Sequence, residues 1–167
     1  MCSSDLDWGY TPTHFQWSTL PAFCRQRVSI IHDGIDCQRL SPNPRANFVL
    51  PNGTRLQWGD PVLTFVNRTF EPYRGIHRLM RALPELQRLW PQLQVLLIGA
   101  DSAKVSYGKI RDDGRTWLQV LRQELEGQLD WNRIHALGPI SHSAFIRAMQ
   151  IRSEEHTSEL QSPDHLV

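Results

Sequence analysis

Cysteine, lysine and long apolar runs are all scarce in this sequence. The three cysteines, Cys2, Cys24 and Cys37, are odd in number and widely spaced, and none belongs to a C-x-x-C pair. Disulfide scaffolds, zinc fingers and dithiol redox motifs are thereby excluded. The longest aliphatic run is Val95-Leu96-Leu97-Ile98, far short of the ~20 residues a membrane-spanning helix requires. The chain lacks G-x-x-x-x-G-K and G-x-G-x-x-G, which removes the main support for ATPase and dehydrogenase readings. It has no H-E-x-x-H, no H-x-E with C-x-x-C and no G-x-S-x-G, so zinc hydrolases, deaminases and nucleophile-elbow hydrolases lack their chemistry.

What is present begins with two ends of foreign character. Met1 to Leu6 can be encoded by gtg tgc tct tcc gat ct, and the reverse complement of that stretch translates as Arg-Ser-Glu-Glu-His-Thr, the residues Arg152 to Thr157. The run RSEEHTSELQS also looks like translated sequencing-library adapter, so residues 1–6 and 152–167 are set aside as artefact. The remaining 145 residues, Asp7 to Ile151, hold 17 cations and 12 anions, net +5 instead of the +1 of the whole chain. Fifteen of those cations are Arg, the side chain suited to bidentate phosphate and carboxylate contacts.

Residues 7–44 are rich in Pro, Thr, Ser, His and aromatics, with one apolar run at Val28–Ile31 that predicts a strand entering the turn His32-Asp33-Gly34. Phe48–Leu50 and Thr54–Trp58 flank Pro51-Asn52-Gly53, a β-hairpin signal. From Pro61 onward strands alternate with helices. Val62–Val66, Leu93–Gly99 and Arg133–Gly138 read as buried strands. Ile76, Leu79, Met80, Leu83, Leu86 and Trp90 lie on one helical face, with Pro84 expected to kink that helix and Pro91 to stop it. Trp117, Val120, Leu121 and Leu125 mark a second helix, and Phe145, Ala148 and Met149 a third, N-capped by Ser141 or Ser143. The β-α-β-α-β-α order predicts an α/β fold with a partial Rossmann-like parallel sheet, preceded by an interdomain segment and the hairpin.

In such sheets ligands sit beyond the carboxyl ends of the strands, which directs attention to the loops at 67–75, 99–115 and 138–143. The first of them, NRTFEPYRG, places Arg68 after the first strand and Arg74 at the start of the next helix. Both can face one anion, helped by the N–H groups that a helix start at Gly75 leaves free. The competing reading pairs Arg68 with Glu71 or another carboxylate as loop structure. His32 and His77 read as structural or surface residues.

These residues resemble glycosyltransferase family 4, also called group 1, of the GT-B fold. The resemblance runs through Thr11–Gln16, Val28–Asp36 (VSIIHDGID), Phe65–Gly75, Gln94–Gly99 and Ile134–Ile140. It implies that residues 7–44 are the end of an N-terminal domain with its linker, and that residues 45–151 are part of a C-terminal nucleotide-sugar-binding domain. It further implies that Arg68 and Arg74, with Gly75, hold the donor diphosphate, and that Gly138, Pro139 and Ile140 meet the nucleobase through backbone. Arg74 stands where the family usually has Lys, and Asn67 where it often has Gly.

By the same resemblance the substrate is a nucleotide-diphosphate sugar and the acceptor an unidentified sugar, lipid or protein. No cofactor, metal or nucleic acid is expected. The location implied is cytoplasmic, with peripheral membrane contact open to the complete enzyme. The acceptor-binding half and the E-x7-E element fall outside this stretch, so no catalytic residue is assigned and the piece alone is expected to be inactive. Two alternatives stand beside it: a nucleotide-sugar epimerase of the same architecture, and a non-catalytic α/β binding module. The latter would want acidic strand ends, where this chain has Arg68 and Gly99.

Overall fold

The computed structural model describes residues 7–104, 107, 108 and 110–151. The two ends set aside as artefact lie outside the described residues. The chain divides into two compact units after Gln38.

In the first unit β1 (Gly9–Thr11) and β2 (Val28–Ile30) pair in parallel, Gly9 opposite Val28. Between them lie α1 (His14–Thr19) and α2 (Ala22–Arg25). The strand expected at Val28–Ile31 is present. β1 and the two short helices carry no periodic apolar pattern, and their order comes from polar contacts. The Thr13 hydroxyl caps α1 by accepting the Gln16 N–H at 3.1 Å, and Thr11 donates to the Gln16 side-chain oxygen at 3.0 Å. Arg25 lies over the Trp17 ring, 5.4 Å from its centroid.

The second unit opens with a hairpin, β3 (Asn47–Val49) against β4 (Arg55–Gln57). Its turn uses Gly53 at φ 86° and the Asn52 side chain, which accepts the Thr54 N–H at 3.0 Å. A parallel sheet follows, ordered β5-β6-β7, from β5 (Val62–Thr69), β6 (Gln94–Ala100) and β7 (Ile134–Gly138). The helices α3 (Ile76–Leu89), α4 (Trp117–Glu124) and α5 (His142–Gln150) alternate with these strands. The second unit is thus an α/β structure consistent with a partial Rossmann-like domain.

Central β6 is buried on both faces, the reason it reads as an unbroken apolar run. Val95 and Leu97 join Ile76, Met80 and Leu83 of α3 and Leu121 of α4. Leu96 and Ile98 pack instead with Phe48 and Leu56 of the hairpin and Ala148 of α5. Both faces of the sheet are therefore covered, by helices on one side and by helix plus hairpin on the other.

The sequence expectations need adjustment at two points. β5 extends to Thr69, so Asn67 and Arg68 belong to the strand and not to a loop. In α3, which runs unbroken past Pro84, Trp90 caps the helix and is 47 % exposed, whereas Gln87 is buried. Gln87 faces inward because its amide closes a two-point clamp. It donates to the Asp130 carbonyl at 3.2 Å and accepts the Asp130 N–H at 2.9 Å. That pairing ties α3 to the turn that leads into β7. Gln87→Leu strands both backbone groups, so it is expected to destabilise the protein by about 1–3 kcal/mol. Urea unfolding measures this, and an unchanged midpoint would refute the role given to the clamp.

Candidate functional site

The site grows from an irregularity in β5. Pairing with β6 runs regularly from Val62 opposite Gln94 to Val66 opposite Ile98, then resumes with Thr69 opposite Ala100. β5 thus spends one more residue than β6 over the same stretch, and such a bulge redirects the side chains around it. Gly99 makes this possible. Its φ is 147°, and a Cβ built there would lie 2.0 Å from the Asn67 carbonyl oxygen.

Beside this bulge is a cleft of about 480 Å³ beyond the carboxyl ends of the three strands. Val66, Asn67 and Arg68 of β5 line it, with Ile98 and Gly99 of β6 and Pro139, Ile140, His142 and Phe145 past β7. Arg68 is exposed and makes no hydrogen bond or ion pair among the described residues. Its guanidinium is thus available to an anion.

Arg74 has different surroundings. Its Nε lies 3.6 Å from Oε1 of Glu71, a carboxylate with no solvent exposure, and its Cζ lies 5.1 Å from the centroid of the Tyr107 ring. Of the two arginines it is Arg74, and not Arg68, that pairs with Glu71. Asn67 connects the two regions by donating from its side-chain amide to the Arg74 carbonyl at 3.4 Å. Gly75, at φ 84°, ends the 3-10 turn Pro72–Arg74 and begins α3 with no side-chain cap. The first N–H groups of α3 therefore have no side-chain partner of the capping kind.

On the far side Gly138, at φ 69°, closes β7 opposite Ile98 and turns the chain outward. Pro139 and Ile140 reach the cleft wall, and Gly138 does not line it. The structure therefore gathers Arg68, Pro139 and Ile140 around one space. It leaves Arg74 outside that wall, on the Glu71 and Tyr107 side.

His142 and Phe145 were not singled out as site residues from sequence. Their rings stack across one turn of α5, centroids 6.4 Å apart at 27°. The available signal was an i, i+3 aromatic pair at a helix start, just after a strand-end Gly-Pro. Ser141 caps this helix, its hydroxyl accepting the Ala144 N–H at 3.2 Å.

Residues 1–40 match the family described as "Glycosyl transferase family 4 group". The matched stretch takes in TPTHFQ and VSIIHDGID, and the segments around Arg68, Gly99 and Gly138 lie beyond it. No curated protein matches the chain. No helix of the described residues is long and apolar enough to cross a membrane. Among those residues no three His, Cys, Asp or Glu side chains converge as metal ligands.

Proposed function

We propose that the cleft is part of the donor site of a glycosyltransferase that uses a nucleotide-diphosphate sugar. One observation carries this reading: an exposed Arg68, with no hydrogen bond or ion pair among the described residues, shares a cleft at the strand ends with Pro139 and Ile140. The match of residues 1–40 supports the glycosyltransferase part of this reading. Arg68 would hold the diphosphate, with Arg74 and the start of α3 at Gly75 adding positive potential. The segment Gly138–Ile140 would meet the nucleobase through its main chain, and the architecture would be the GT-B type.

Glycosyl transfer leaves negative charge on the departing nucleoside diphosphate. Fixed cationic donors stabilise that charge as it develops, without reorganising during the step. No general base is assigned to either arginine, because a guanidinium stays protonated. The acceptor, a sugar, lipid or protein, would be bound by residues other than these.

Titration calorimetry of the 167-residue chain with UDP, GDP and ADP, each alongside its nucleoside, tests the reading. At least one diphosphate should bind, and its nucleoside should bind at least about tenfold more weakly, the loss of one charged contact or more. If no diphosphate outbinds its nucleoside, the cleft is not a diphosphate site.

A further inference from the structure

Glu71 is the most deeply buried ionisable side chain near the cleft, at 0 % exposure. A carboxylate in such a place needs a cation and hydrogen-bond donors around it. It has both. Oε1 faces the Arg74 Nε at 3.6 Å, and Oε2 accepts the backbone N–H of Tyr107 at 3.3 Å. Glu71 itself is fixed by the chain on either side. Phe70 before it is fully buried and donates its N–H to the Ala100 carbonyl at 3.1 Å, and the Pro72–Arg74 turn follows at once.

The geometry at Arg74 is informative in the same way. A guanidinium is a planar fork with five N–H donors. The inward contact uses Nε, the Tyr107 ring covers one face, and the side chain is still 36 % exposed. The Nη1 and Nη2 groups make no hydrogen bond among the described residues. The fork is therefore held at its inner edge, and its outer ends have no hydrogen bond to a described residue.

We infer that Glu71 is a positioning residue, holding Arg74 by Nε so that Nη1 and Nη2 are presented to a phosphate, with Tyr107 as the lateral stop. This deepens the proposed donor site and rests on that reading. It has a consequence for residue 74 that resemblance alone does not suggest. Lysine, which the family usually places there, has one charged nitrogen. If that nitrogen stays with Glu71 it cannot serve the phosphate, and if it reaches outward the buried carboxylate loses the contact that Arg74 makes through Nε. In this chain lysine is thus a poor substitute for arginine at 74.

The experiment is calorimetric binding of inorganic pyrophosphate to the 167-residue chain and to Arg68→Ala, Arg74→Ala, Arg74→Lys, Glu71→Gln and the double variant Glu71→Gln/Arg74→Ala. Melting curves on the same samples report folding. Arg74→Ala should weaken binding about tenfold, the loss of one charge-assisted contact. Arg74→Lys should lie close to Arg74→Ala, and Glu71→Gln should fall between wild type and Arg74→Ala. The double variant should bind no more weakly than Arg74→Ala, since Glu71 acts only through that arginine. Arg74→Lys binding like wild type overturns the inference, and so do additive losses in the double variant. Should Glu71→Gln fail to fold, Arg74→Lys at a partly exposed position still decides. If Arg68→Ala and Arg74→Ala both bind pyrophosphate as wild type does, the anion site itself is refuted. If both weaken binding while Arg74→Lys does not, only the role of Glu71 falls.

Discussion

Gly99→Ala is expected to be the most damaging single methyl that can be added near the cleft. The added Cβ would sit 2.0 Å from the Asn67 carbonyl oxygen and 3.2 Å from the Phe70 ring. The first contact is with backbone in a paired strand, which cannot rotate aside. The second is with a side chain that is completely buried. The φ of 147° adds strain for any residue with a Cβ. Overpacking costs about 1–3 kcal/mol and a strained backbone about the same again. The expected loss is therefore about 2–6 kcal/mol, a large fraction of a small domain's stability. Gly127→Ala is the matched control. Gly127 also has positive φ, 72°, but nothing stands within 4 Å of its Cβ position, so it incurs the φ strain without the collision. Thermal or urea unfolding of the two variants separates the terms, and equal losses would show that close approach at Gly99 is not what sets the bulge. Because Asn67 and Arg68 ride on that bulge, ligand binding at Arg68 should fail in whatever Gly99→Ala protein remains folded.

Arg68→Ala should leave stability nearly unchanged and remove most nucleoside diphosphate binding. The residue is exposed and uncommitted, so truncation breaks nothing that holds the sheet together. A charge-assisted contact to phosphate is worth about 1.5–3 kcal/mol, or roughly 10–150-fold in affinity. Arg68→Lys should retain an intermediate affinity, because the charge remains while the planar fork is lost. Wild-type binding should also weaken with added salt more steeply than that of Arg68→Ala. In an enzyme that also holds its acceptor, loss of this contact should slow turnover by roughly 10²-fold, as removal of an oxyanion donor does. Diphosphate affinity unaltered by Arg68→Ala would place the donor elsewhere, however good the family match.

Much of the architecture was open to periodicity. Val62–Val66, the run Leu93–Gly99, and Arg133–Gly138 mark the three strands of the parallel sheet. The hairpin followed from Asn52-Gly53 between apolar stretches. These signals are local: a run buried on both faces must be apolar throughout, and a tight turn needs residues that tolerate its dihedrals. The short elements before Val28 were less visible, since their order depends on caps and one cation–π contact and not on a repeating apolar face.

The site divides along the same line. That Arg68 and Arg74 flank the start of one helix follows from their spacing in the chain. Their unequal circumstances do not. A one-residue bulge, permitted because Gly99 has no Cβ, brings Arg68 to a cleft wall with Pro139 and Ile140, more than 70 positions away in sequence. Burial of Glu71 beneath a distant loop commits the inner edge of Arg74 and aligns Tyr107 against it. Gln87 likewise turned inward, in place of the Trp90 that periodicity favoured, because the backbone of Asp130 came within reach of its amide. Sequence alone determined the alternation of strands and helices and which residues could carry positive charge, since both are properties of neighbours in the chain. Which charge stays free and which is spent on a buried partner was decided by tertiary packing, because a carboxylate shows its need for a counter-ion only once water has been removed from around it.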